Sequence, residues 1–106
     1  MATVAAVTVS ELRERLGTDP RPFLLDVREP WEFAAGHVPG AVLIPLGELE
    51  QRVAEVPRDR PVFAICHSGQ RSLAAAGFLQ ALGYRDVVNV DGGTAAWIER
   101  GYPLDR

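Results

Sequence analysis

One thiol stands in the sequence, Cys66, and the residues that follow it are His67, Ser68, Gly69, Gln70, Arg71 and Ser72. A thiolate is an intrinsically strong nucleophile, so what matters is whether the surroundings favour the anion. A chain that turns tightly through Gly69 into a helix aims several backbone N–H groups, and the positive end of a helix dipole, at whatever precedes the turn. Such surroundings bring a cysteine pKa from about 8.5 into the range of roughly 3.5–7.5. Cys66 is therefore the predicted nucleophile, against the alternative of a small buried apolar side chain, the commonest fate of an isolated cysteine.

The candidate substrate-binding residues are His67, Ser68, Gly69, Gln70, Arg71 and Ser72. Arg71 either neutralises a bound anion or closes the loop through a salt bridge with its side chain turned outward. Ser68, Gln70 and Ser72 are expected to supply amide and hydroxyl hydrogen bonds, and Ser72 serves equally as a plain helix cap. His67 tunes the thiolate, contacts substrate or is a solvated loop side chain.

The elements that must position this loop follow from the apolar pattern. Thr8-Val9-Ser10-Glu11 has capping-box spacing and opens a helix from about Val9 to Leu16, closed by Gly17. Phe23 to Val27, Ala41 to Ile44 and Pro61 to Ile65 read as buried strands, as do Val87 to Val90. Apolar residues at 46, 49, 53 and 56 predict a helix from Leu46 to Val56, and further helices are expected over Ser72 to Leu82 and Ala95 to Arg100. Strands and helices alternate and the strand runs are nearly continuous in apolar residues, which implies an open α/β sandwich with a mostly parallel sheet and helices on both faces. Ligand sites of such sheets lie beyond the carboxyl ends of the strands, where Asp26 and Arg28, the run from Cys66, and Asp91-Gly92-Gly93 fall.

Composition narrows the chemistry. At 106 residues the chain is expected to form one domain, residues 1–106. Eleven basic and 14 acidic residues give a net charge of −3, so no basic field attracts nucleic acid or an anionic membrane. All of the basic residues are arginine, which excludes lysine Schiff bases and Walker-type phosphate loops. The single Cys excludes an intrachain disulfide, and with only two His besides it leaves metal ligation poorly supplied, so no metal is expected. The opening Met1-Ala2-Thr3-Val4-Ala5-Ala6-Val7 has no basic leader region and no run long enough to span a bilayer, predicting a soluble cytoplasmic protein. Asp26 and Arg28 either face the site rim or form a conformational ion pair. His37 is expected to be a structural turn residue, and Trp31 and Trp97 to pack in the core or its rim.

Three segments together resemble the rhodanese family over nearly the whole chain. They are Leu25-Asp26-Val27-Arg28-Glu29 with Trp31-Glu32-Phe33, Gly36-His37-Val38-Pro39-Gly40-Ala41 and Ile44-Pro45; the loop Cys66 to Ser72; and Val90-Asp91-Gly92-Gly93 with Trp97, Gly101, Pro103 and Leu104. The resemblance implies a three-layer α/β/α sandwich on a mostly parallel five-stranded sheet, with a first short strand near Val4–Val7. It implies a single-domain sulfurtransferase in which Cys66 takes a sulfane sulfur from thiosulfate or a persulfide, holds it as a persulfide and yields it to cyanide or a thiol, without metal or cofactor. The other activity it implies is a persulfide-bearing relay module that serves a dedicated partner protein. Phosphatases and arsenate reductases of this fold tend to have one more residue between Cys and Arg than the four found here, and the absent second Cys also disfavours a reductase. His67 and Ser68 stand where two-domain thiosulfate enzymes tend to carry basic residues, which makes a persulfide donor at least as suitable as thiosulfate.

Overall fold

The computed structural model describes residues 3–106; Met1 and Ala2, part of the opening segment considered above, lie outside the described residues. Strand β1 (Ala5–Val7) leads through helix α1 (Val9–Leu16) to β2 (Phe23–Asp26), and α2 (Pro30–Ala35) precedes β3 (Val42–Leu43). Helix α3 (Leu49–Arg52), β4 (Val62–Ile65), α4 (Gln70–Ala81), β5 (Val87–Val90) and α5 (Gly93–Glu99) complete the order. The strands form one five-stranded sheet, β1-β5-β4-β2-β3, and every pair in it is parallel. The chain leaves β4 towards β5 and leaves β2 towards β3, so the order diverges where β4 and β2 lie side by side. Ligand sites of such sheets lie at that divergence, beyond the carboxyl ends of the strands, which here falls directly before Cys66 and after Asp26.

Side-chain alternation along the strands divides the core into two layers. Phe23, Leu25, Val62, Ala64 and Cys66 pack with Leu49, Ala75, Ala76 and Leu79 on the face covered by α3 and α4. Leu24, Phe63, Ile65 and Val90 pack with Val9, Leu12 and Trp97 on the face covered by α1 and α5. Cys66 continues the parity of Val62 and Ala64, so its side chain turns toward α4. The predicted α1 forms as expected, with the Glu11 N–H donating to Thr8 Oγ1 at 3.2 Å and the Thr8 N–H donating to Glu11 Oε1 at 3.0 Å.

The structure corrects several expectations. The segment predicted as one helix from Leu46 to Val56 is a 3₁₀ turn (Leu46–Glu48), the four-residue α3 and a second 3₁₀ turn (Val53–Glu55). Leu49 and Val56 are buried as the spacing requires. Gly47 and the β-branched Val53 make this a poor helix, and 3–4–3 spacing is met equally by tighter turns. Helix α2 had no counterpart in the sequence reading: six residues are too few for a stripe, although Pro30 at its first position and Gly36 after its end mark it. Trp31, expected to pack, is 73% exposed on that helix. Helices α4 and α5 begin two residues earlier than expected, at Gln70 and Gly93, because Gly69 (φ +110°) and Gly92 (φ +80°) cap them with left-handed backbone.

Candidate active site

The loop from Cys66 to Gly69 joins β4 to the 12-residue α4, and it is fixed from both sides. On the β5 side the Thr94 and Ala95 N–H groups donate to the carbonyls of Cys66 and His67, each at 2.9 Å. The Thr94 hydroxyl donates to the same Cys66 carbonyl at 3.0 Å. This approach requires glycine at position 93, where a Cβ would lie 2.6 Å from both carbonyl oxygens and φ is +58°. Asn89, buried on β5, donates from Nδ2 to the Gly69 carbonyl at 3.1 Å. The Gly92-Gly93 pair is thus a docking surface for the loop, and Asn89 and Thr94 are supporting residues that the sequence reading passed over. Neither carries a spacing signal, because each acts through tertiary contact alone.

Held in this way, the loop turns its hydrogen-bond donors on the sulfur. The Gly69 N–H donates to Cys66 Sγ at 3.1 Å and the Ser72 hydroxyl donates to it at 3.3 Å. Burial pushes the Cys66 thiol up, but hydrogen bonds from the Ser72 hydroxyl and from the Ser72, Gly69 and Ser68 amides outweigh it, so the pKa lies below the ordinary value. Cys66 is 1% exposed and packed in the core, and its sulfur is met by donors.

The remaining loop residues separate by role. Ser72 sits in the first turn of α4 with its hydroxyl on the sulfur; the cap position belongs to Gly69, which corrects the helix-cap reading. His67, Ser68 and Gln70 are exposed along the loop's outer edge. Arg71 resolves to the salt bridge: Nη1 and Nη2 donate to Glu32 Oε1 and Oε2 at 2.7 and 2.9 Å. The Arg71 guanidinium, by its hydrogen bonds, holds the Glu32 carboxyl down at about 2. No local pattern marks Glu32 for this role, since its partner lies 39 residues away.

Asp26 and Arg28 form a buried ion pair. Arg28 Nη2 donates to Asp26 Oδ2 at 3.0 Å and to the Gly36 carbonyl at 2.8 Å, and Arg28 Nε donates to Asp26 Oδ1 at 3.1 Å. His37 is structural as expected, stacked on Phe33 with ring centroids 3.6 Å apart and bridged through its backbone to Asp105. Trp97 is buried and donates from Nε1 to the Pro103 carbonyl at 2.7 Å. No group of three or more potential metal ligands occurs among the described residues.

A thiol under convergent donors at the carboxyl edge of this sheet invites comparison with known proteins. The rhodanese-like domain model matches residues 8–100. The chain belongs to the rhodanese family. It is 37% identical over 101 residues to a sulfurtransferase of Allochromatium vinosum, covering 95% of this chain and 94% of that one. It is 35% identical to a putative sulfur carrier protein of Bacillus subtilis, over 91% of this chain and 52% of the relative. Among solved structures, a rhodanese-related protein from Thermoplasma volcanium superposes with a TM-score of 0.87 at 37% identity, over 95% of this chain and 97% of that one. The rhodanese-like fold and membership of a sulfurtransferase and sulfur-carrier family are therefore established for this chain. Among the described residues no helix is long and apolar enough to cross a membrane.

Proposed function

We propose that this rhodanese-like chain is a sulfurtransferase that works through a persulfide on Cys66, with residues 1–106 acting as one cytoplasmic domain and no metal or cofactor taking part. The Cys66 thiolate attacks the outer, sulfane sulfur of thiosulfate or of a persulfide. A new S–S bond forms at Cys66 while the donor's own S–S bond breaks, and sulfite or a thiolate departs with the electron pair. Cyanide or a thiolate then attacks the outer sulfur of the persulfide, leaving as thiocyanate or a new persulfide and returning Cys66 as thiolate. No oxidant or reductant is consumed in either transfer.

The observation that carries this reading is the pair of donors on Cys66 Sγ, the Gly69 amide and the Ser72 hydroxyl, within the first turn of α4. Preorganised donors stabilise the thiolate before attack and the anionic leaving thiolate afterwards. In this reading the exposed His67, Ser68 and Gln70 meet the donor, Gly69 gives the loop its turn, and Arg71 and Ser72 complete the wall. The likeness to a putative sulfur carrier supports a second reading, a relay module that keeps the persulfide until a partner protein takes it. Intact mass after incubation with thiosulfate, and separately with glutathione persulfide, tests both. Addition of one sulfur atom that cyanide then removes catalytically supports the enzyme. Stoichiometric loading with turnover only after a partner protein is added supports the carrier, and no loading from either donor overturns both.

A further inference from the structure

The one cation of the loop, Arg71, is already paired. Both of its terminal nitrogens donate to the two carboxylate oxygens of Glu32, a bidentate geometry that fixes orientation as well as charge. Glu32 is itself anchored: the Glu29 N–H donates to its Oε1 at 3.0 Å and Arg28 Nη1 donates to its backbone carbonyl at 3.3 Å. No residue of its helix α2 is fully buried, and the Glu32 side chain is held by these polar contacts. The neighbouring guanidinium, Arg28, is matched by Asp26. The two Arg–carboxylate pairs at this rim therefore cancel, and an incoming anion meets backbone amides, a hydroxyl and the negative thiolate itself. Arg71 nevertheless stands in the first turn of α4, next to the Ser72 whose hydroxyl donates to Cys66 Sγ.

We propose that Glu32 is a positioning residue that, by neutralising Arg71, sets the charge of the donors this site accepts, favouring sulfane donors with at most one negative charge at the sulfur-bearing end, such as organic persulfides, over dianionic thiosulfate. The proposal rests on sulfur transfer through Cys66. Amide dipoles match a single negative charge, whereas a dianion approaching a thiolate needs a full cation that Glu32 has cancelled. The bonds made and broken are those given above; only the charge of the departing group differs.

Thiosulfate and methanethiosulfonate provide a matched test, because one anionic oxygen of the first is a methyl group in the second and both carry a terminal sulfane sulfur. Steady-state kcat/KM with cyanide as acceptor is measured for the full chain and for Glu32→Gln, Glu32→Asp and the double variant Glu32→Gln/Arg71→Ala. Glu32→Gln is expected to raise the thiosulfate-to-methanethiosulfonate ratio about tenfold, mainly through KM, with the gain shrinking as added salt screens the freed charge. Glu32→Asp should keep the native ratio, and the double variant should lose the gain. An unchanged ratio in a folded Glu32→Gln that still loads sulfur overturns the proposal and leaves sulfur transfer intact. Should Glu32→Gln not fold, the native protein decides: thiosulfate kcat/KM that falls more steeply with salt than that of methanethiosulfonate reveals an uncancelled cation and overturns it, whereas equal or opposite slopes support it. Failure of every donor to load native Cys66 overturns sulfur transfer and this proposal together.

Discussion

Two neighbouring parallel strands end side by side at the same edge of the sheet, and each leads to a buried ionisable group, yet the two groups are finished differently. After β2, the Asp26 carboxylate is 0% exposed and Arg28 4% exposed, and the pair closes on itself with help from the Gly36 and Glu32 carbonyls. After β4, Cys66 is as deeply buried, but what surrounds its sulfur is donors without a counter-charge. A buried charge whose partners belong to the chain is part of the fold. A buried nucleophile facing only donors has a charged state that the chain favours and does not neutralise, and that is the arrangement a reaction can use.

The comparison is broken most sharply by changing the two groups separately. Cys66→Ser should abolish sulfur loading, seen as loss of the one-sulfur mass increment, while the fold persists because serine is close in size and meets the same donors. A serine variant that still gains stable sulfur would move the chemistry elsewhere. Arg28→Ala should do the opposite, leaving Asp26 buried and unpaired at a cost of about 3–5 kcal/mol in stability. Chemical denaturation measures this, and a loss below about 1 kcal/mol would reduce the pair to the value of a surface salt bridge.

Ser72→Ala sharpens the same contrast at the donor level. The hydroxyl favours the thiolate, and a hydrogen bond to a charged group contributes about 1.5–3 kcal/mol, so the variant's thiol pKa should rise by about one pH unit or more. Alkylation rate against pH reports the midpoint directly. A midpoint that stays where it was would assign the lowered pKa to the amides alone.

How much of this was legible beforehand differs between the two strand ends as well. The Cys66 loop could be read because its ingredients are consecutive: strand, thiol, glycine and helix follow one another in sequence, and local order implies local geometry. The parallel sheet was legible for a similar reason, since continuous apolar runs such as Val62–Ile65 are what strands buried on both faces require. Glu32, Asn89 and Thr94 were not, because each meets the loop across 39, 20 and 28 positions respectively and no periodicity encodes such a meeting. Arg71 had two open readings for this reason: its role depends on a carboxylate that only the fold brings to it. Ser72 had two open readings, a hydroxyl hydrogen bond or a helix cap, and the cap alternative falls because Gly69 takes the left-handed cap position. Leu46–Val56 failed differently, since its spacing of three, four and three suits a helix and a chain of tight turns equally.

The smallest expected effect is the pH dependence of the Glu32–Arg71 strap. In the fold the Arg71 guanidinium lowers the Glu32 carboxyl from 4.5 to about 2. The unfolded chain therefore takes up the proton first as acid is added, and stability depends on pH between these two values. The strap's contribution is complete above about pH 4.5 and is lost as pH falls towards about 2. Its size is modest, because the Arg71 side chain is 36% exposed and solvent screens the pair, which places the contribution at about 1 kcal/mol or less. Urea denaturation across that pH range should show native stability falling more than that of Glu32→Gln, whose neutral amide has no proton to gain. Parallel curves for the two proteins would mean that Glu32 is ionised no more readily in the fold than outside it, and that the fork drawn between it and Arg71 contributes geometry without charge.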